Sequence, residues 1–576
     1  MNIKTAFLLC PLITLVACSD NETSSSAASV DAADMIVVNA AIHTMEAGQA
    51  TATALAIRDG KYIYIGDRVG AEALANANTQ VVDAEQRMLM PGINDSHQHP
   101  IEGGTKELFE CTFPFTAGPD DIAKALNACI KAQPEAEWIR GGQFSSDFFV
   151  DNPMPSPRLW LDAIASDMAI VLVDDAYHNA WLNSKALAEL GVSKPEDLPH
   201  GVEMALDQEG KFDGFMIEAF GFLKDNVHWS PEQYAQAAEH AVQLANGFGI
   251  TGLKATAIGE AELRAFKKIA DEGKLSAHVA GAIVTPYGHR EEPLNISNYT
   301  ELRDRYKAPN FNTNFIKIFM DGVPTAARTA AMLAPYTAAT EGAERTDGQL
   351  HIAPEILDAD VVALDAAGFT IKIHTAGDRS VRVALNAIEK ARKANGAAPN
   401  RRHELAHAGY VDDADMGRFA TLNAIPDFSP YIWFPSPIMD SVLTAVGERG
   451  EFYWPTKTLL ATGAELAPGS DWPAAVPSMN PWPGIEALVT RADPFANTSA
   501  TLWADEAVSV QQALQIFTVN GSRALMVDEQ SGSISVGKSA DFIVLSQNLF
   551  DIEPQKISDT QVVMTYFAGK KVYGQP

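Results

Sequence analysis

The chain has 576 residues, 47% of them hydrophobic, and carries 73 Asp and Glu against 43 Lys and Arg, a formal net charge of -30. That length exceeds one small core and admits either several domains or a barrel with insertions, and the hydrophobic share suits a globular protein. So acidic a chain is a poor partner for nucleic acid, whereas a small-molecule substrate is compatible with it.

Taken in chain order, the first signal is an address. Lys4 precedes an apolar run that is too short for a spanning helix of about 20 residues, and the run ends in "LVAC". Ala17 before Cys18 resembles a bacterial lipoprotein cleavage box, which implies removal of residues 1–17 and lipidation of Cys18. Ser19, rather than an Asp, follows the cysteine. That leans towards the outer membrane, so the chain is expected in the bacterial envelope, on the periplasmic side, with a lipid anchor as its only membrane contact. The plain alternative is a cleaved signal with Cys18 idle. Residues 18–33 are rich in Ser, Ala and Asp and read as a flexible tether.

Residues 34–90 hold short strands around an Asp59-Gly60 hairpin signal, and 532–576 look alike in style, so the two ends are expected to build one β-sandwich. Residues 91–531 alternate apolar runs with helical stretches, the pattern of parallel strands joined by helices. The strand candidates are one ending at 97–99, then 249–256, 276–284, 314–322, 369–377, 402–409, 424–430 and 464–473, with helices expected over 354–368 and 380–394. Eight such units predict an α/β fold of the closed (β/α)8 type, a TIM-like barrel. The gap after the first strand is too long for a connection, so roughly 110–235 is expected to be an inserted subdomain. It contains Cys111 and Cys129, which either pair in an exported protein or remain buried thiols; they do not form a zinc pattern.

"PGINDSHQHP" places His97 and His99 two apart, and on a strand that reaches residue 99 both rings would face one point. Further along, Lys317, His374, His407 and Asp471 each interrupt or close an apolar strand candidate. Buried ionisable groups are costly unless paired or metal-bound, and barrel chemistry sits at the C-terminal strand ends. Any one of these residues alone could be structural; six in order along the barrel point to a metal centre.

With these residues in view, the chain resembles the amidohydrolase superfamily, in its amidohydrolase-3 branch, similar to N-substituted formamide deformylases. The matching stretches are "PGINDSHQH", "DDAYHNAWLNSKAL", "IKIFMDGVPTAARTAAMLAPY", "IHTAGDRSVRVALNAIE", "RRHELAHAGYV", "PGSDWP" and "GSISVGKSADFIVL". The resemblance implies one or two divalent metal ions, usually zinc, held by His97, His99, Lys317, His374, His407 and Asp471. It makes Lys317 the candidate for carbamylation, ahead of Lys254 and Lys372. It also implies hydrolysis at a carbon–heteroatom bond, and the favoured reading is a non-peptide, amide-like C–N bond cleaved by metal-activated water, with Asp471 as general base and then acid. His178 and Glu218 in the insertion, and Asp321 and Arg379 past strand ends, are candidate substrate contacts. Trp472 is either a pocket wall or ordinary core. Deamination or ester and lactone hydrolysis on the same fold, and a binding lipoprotein without catalysis, are the alternatives; an oligomer is left open. The chain departs from the family pattern at Asn94, at Ser429-Pro430 and at Lys254.

Overall fold

The computed structural model describes residues 32–207, 209–338 and 345–574. Cys18 and the leader lie outside the described residues. An eight-stranded sheet forms the centre, with strands β1 (Ile93–Gln98), β2 (Ile250–Ile258), β3 (His278–Val284), β4 (Phe311–Phe319), β5 (Thr370–Thr375), β6 (His403–His407), β7 (Ala424–Phe428) and β8 (Ala467–Pro468). Each pairs in parallel with the next, so the order in the sheet is the order in the chain. Main-chain bonds past the last strand close it: Asp471 N–H donates to His97 O and His99 N–H to Trp472 O, both at 2.7 Å. The protein is therefore built on a (β/α)8 barrel.

The connecting helices follow from sequence pattern. Asp378–Asn395 buries Val381, Ala384, Leu385, Ile388 and Ala391, a three-to-four residue spacing that lays one apolar stripe on the barrel. Pro354–Ala366 begins with Pro at its first position, where the missing N–H costs nothing. Helix Pro231–Gly247 begins at a capping box of Ser230 and Gln233.

The strand limits differ from those the sequence suggests. β4 starts earlier and stops at Phe319, and β8 is only two residues long. β8 is short because Gly469 packs against the His97 side chain and Asp471 takes a left-handed conformation (φ 61°), so the chain leaves the sheet to turn into the barrel opening. β1 ends at Gln98, and His99 is the N-cap of helix Pro100–Phe109, so His99 reaches the centre from a strand-to-helix turn and not from the strand.

Three further sheets surround the barrel. One has the order Lys61–Gly66, Ala54–Arg58, Met35–Val38, Gln80–Asp83. A second, ordered Lys570–Tyr573, Val562–Phe567, Phe542–Leu545, Met88–Pro91, Ala41–His43, Thr51–Ala52, joins strands from both chain ends. Val37, Leu55, Ile57, Leu89, Phe542 and Tyr566 pack in one apolar cluster drawn from both. The third sheet comes from the segment after β1 and includes Cys111–Thr112, Trp138–Phe144, Ala169–Asp174 and Phe212–Ile217. A disulfide joins Cys111 to Cys129, whose Cα atoms are 6.0 Å apart. Among the described residues, no helix is long and apolar enough to cross a membrane.

Candidate metal centre

Five of the six predicted ligands surround the C-terminal opening as donor groups of β1, the turn after it, β5, β6 and the turn after β8, and Lys317 enters from β4. His97, His99, Lys317, His374, His407 and Asp471 all line one cavity of about 30 Å³. The nearest approach is among His97, His99 and Asp471, whose ligand atoms lie within 4.8 Å of one another. Asp471 Oδ1 is 3.4 Å from His97 Nε2 and 3.2 Å from His99 Nε2, and its Oδ2 is 4.0 Å from His407 Nδ1. The His374 and His407 rings are 4.6 Å apart, and Lys317 Nζ is 3.4 Å from His97 Nε2.

The outward nitrogens explain how these rings are held. His97 Nδ1 donates to Asp427 Oδ2 at 2.7 Å, His99 Nδ1 to Thr256 O at 3.1 Å and His374 Nε2 to Gly322 O at 3.0 Å. With that N–H engaged, the other nitrogen of each ring carries a lone pair, and for His97 and His99 it is the one aimed at Asp471. Burial, reinforced by the Lys317 ammonium and neighbouring rings, holds His97, His374 and His407 well below the usual imidazole pKa. They are therefore neutral at pH 7, the form that binds cations. This donor set fits a divalent ion. Two of its members also have unusual backbone: His407 (φ 73°) and Asp471 (φ 61°) are left-handed without being glycine, a strain that clusters at functional sites.

The three lysines separate by depth. Lys254 pairs with Glu404 and donates to Ala524 O at 2.8 Å. Lys372 pairs with Glu404 at 2.8 Å and with Asp427. Both are fully buried beneath the cavity, with carboxylate partners. Lys317 faces the cavity, and burial together with the Lys372 charge pushes its pKa down to about 7. The sequence reading missed Asp427 and Glu404, the carboxylates of this buried ladder. The available signal was an acid inside each of two apolar strands, "AIPDF" and "HELAH".

The insertion brings two further predicted residues to the cavity. His178 lines it, and Glu218 Oε2 accepts from His178 Nδ1 at 2.9 Å. Burial works against protonation of His178, but the Glu218 carboxylate overrides it and raises the pKa above the usual value.

The structure does not bring Asp321, Arg379 or Trp472 to the cavity wall. Asp321 accepts from the N–H groups of Ala331, Ala376 and Gly377 and from the Ser380 hydroxyl, and its Oδ1 lies 3.7 Å from His374 Nε2, so it organises the loop after β5 from behind that ring. Arg379 is bonded to Asp347 and Gly348. Trp472 is buried against Gly103, and its main chain closes the barrel. Asn94 likewise points away, donating to Thr518 O at 2.9 Å.

A second recess, about 130 Å³ and walled largely by apolar and aromatic groups including Ile101, Val171, Leu223 and Trp229, shares Glu102, Tyr177 and Phe220 with the metal cavity.

A closed parallel barrel whose C-terminal opening gathers neutral imidazoles around a carboxylate defines a metal-dependent hydrolase. The chain belongs to the amidohydrolase family, whose model matches residues 80–573. It is 27% identical over 565 residues to "Protein LONG AFTER FAR-RED 3" of Arabidopsis thaliana, covering 94% of this chain and 92% of that protein. It is 24% identical over 550 residues to the "N-substituted formamide deformylase" of Arthrobacter pascens, covering 93% and 97%. In fold it is similar to an uncharacterized metal-dependent hydrolase from Pyrococcus horikoshii, with a TM-score of 0.71, 22% identity and coverage of 90% of this chain and 99% of that one.

Proposed function

We propose that this chain hydrolyses an amide-like, non-peptide C–N bond of a small molecule, using one or two divalent ions, zinc by preference. The carrying observation is that His97, His99 and His374 each donate one N–H to a protein acceptor, with His97 and His99 turning the other nitrogen to Asp471. His97, His99 and Asp471 would hold one ion, and His374, His407 and Lys317 would complete the site. When bound, a divalent cation supplies a Lewis acid for a carbonyl oxygen and makes water a competent nucleophile near neutral pH.

The chain's own groups do the rest. Asp471, beside both His97 and His99, takes the proton of the attacking water and returns it to the departing amine. Lys317, with a pKa of about 7, has a neutral amine available to add carbon dioxide, and the resulting carbamate would be a further anionic group to hold the metal. The cavity of about 30 Å³ has room for the reacting group, and the recess past Phe220 for the rest of the substrate. The name of the Arthrobacter relative, a deformylase, supports an amide bond.

We also propose that the protein is exported and tethered through Cys18. The Cys111–Cys129 disulfide supports an oxidising compartment.

The test is metal analysis of purified protein with an activity screen over N-formyl, N-acyl and cyclic amides, aminopurines and simple esters. The expected result is one to two equivalents of metal and turnover of an amide. Asp471→Asn should keep most of the metal and lose roughly a hundred- to ten-thousand-fold in kcat. Release of ammonia from an aminopurine with no amide turnover would replace this reading with deamination.

A further inference from the structure

His178 stands at the cavity without belonging to the metal-ligand group. It lies in the turn between the inserted strands Ala169–Asp174 and Ala180–Leu182, and its ring centroid is 5.6 Å from that of His374. It lines the metal cavity and also a neighbouring space of about 70 Å³ that includes His374, His407, Asp471 and Tyr453. Its Nδ1 is engaged with Glu218 Oε2 at 2.9 Å, and the Tyr287 hydroxyl donates to the same oxygen. No protein group among the described residues hydrogen-bonds its Nε2.

The support behind the ring is elaborate for a surface contact. Glu218 is buried and left-handed (φ 56°), a conformation that a non-glycine residue adopts only when its surroundings impose it. Its N–H donates to Asn179 Oδ1 at 3.1 Å, and the next residue, Ala219, donates its N–H to His178 O at 2.6 Å. Gly322 leaves room for the carboxylate: a Cβ there would lie 2.3 Å from Glu218 Oε1. The carbonyl of the same Gly322 accepts from His374 Nε2, so one residue sets the spacing between the Glu218–His178 pair and a ring of the metal centre.

We propose that His178 is a catalytic residue that donates a hydrogen bond from Nε2 to the substrate carbonyl oxygen, with Glu218 and Tyr287 as positioning residues that fix the ring. The proposal rests on the amide-hydrolase reading for its substrate. As the water oxygen bonds to the carbonyl carbon, its proton passes to Asp471 and the C=O π pair moves onto oxygen. His178 Nε2–H meets that oxygen as charge develops. When the oxyanion reforms the carbonyl, the C–N bond breaks and the amine leaves with the proton from Asp471. Paired with the buried Glu218 carboxylate, the ring is an imidazolium with an N–H on both nitrogens, Nδ1–H held by Glu218 and Nε2–H left for the oxyanion, and it keeps both protons throughout, as an oxyanion donor does. A donor already aimed and backed by a buried carboxylate needs no reorganisation at the moment of reaction, which is why its effect falls on kcat.

The experiment uses the metal-loaded enzyme and the best amide from the screen. His178→Asn should lower kcat about a hundred- to a thousand-fold with KM within about threefold, and with metal content and melting temperature unchanged. Glu218→Gln should give a smaller loss, and His178→Ala should regain at least tenfold on addition of imidazole. Calorimetry with methylphosphonate, a tetrahedral anion, should show at least tenfold weaker binding to His178→Asn. A kcat within threefold of wild type, a change confined to KM, or loss of bound metal in His178→Asn would overturn the assignment. If no amide is turned over but methylphosphonate binding falls as expected, the donor role stands and the amide reading is the part that fails.

Discussion

Asp427 offers the sharpest test of how the metal centre is held. Its Oδ2 accepts from His97 Nδ1 at 2.7 Å and also pairs with Lys372. Asp427→Asn keeps the shape and removes the charge. The amide can now present N–H to His97 Nδ1, which places the ring proton on Nε2, the nitrogen turned to Asp471. Loss of such a partner lowers metal affinity by about 10- to 100-fold, or roughly 1.4–2.7 kcal/mol. Stability falls as well. Lys372 retains Glu404 at 2.8 Å, so the loss belongs at the low end of the ~3–5 kcal/mol found when a buried pair is broken. Glu404→Gln separates the two effects, because Glu404 pairs with Lys254 and Lys372 and touches no ligand. It should cost similar stability and leave metal affinity within about twofold. Competition titrations against a chelator, beside denaturant unfolding, read both quantities. Equal metal affinities for Asp427→Asn and wild type would refute the reasoning.

Three other outcomes are expected. Holoenzyme exchanged with ¹³C-bicarbonate should show a carbamate carbon that Lys317→Met abolishes. Because the Lys317 pKa is lowered to about 7, the metal-free protein presents the neutral amine above that pH, so carbamylation before metal loading should be slower at pH 5.5 than at pH 8; equal rates would count against Lys317. Cys111→Ser should destabilise the inserted region by about 3 kcal/mol, the scale for closing a loop of this size, read as a lower denaturant midpoint that reductant reproduces in wild type. Cys18→Ser, expressed with its leader in a Gram-negative host, should move the protein from the membrane to the soluble fraction; unchanged membrane association would exclude the lipid tether.

The barrel and the candidates for its centre were legible along the chain. Alternating apolar runs and helices is a local pattern, and a polar residue that closes an apolar run stands out against it, as His374 and His407 do. It also showed that His97 and His99 belong together, although they meet by a strand-to-helix turn. The distances at which these ionisable groups meet, and what stands behind each, were set by folding. Lys254, Lys317 and Lys372 each sit in an apolar strand, and nothing local says which faces the opening; depth in the barrel and the Glu404 and Asp427 carboxylates separate them. Asp321 and Arg379 look like site residues beside a strand end, yet folding sets Asp321 among loop amides behind the His374 ring and Arg379 against Asp347. The pairing of Cys111 with Cys129 and the meeting of His178 with Glu218, 40 residues apart, are distances in space that the chain order does not encode. Periodicity and composition are properties of neighbours along the chain, whereas charge pairing and metal geometry depend on residues brought together from different strands.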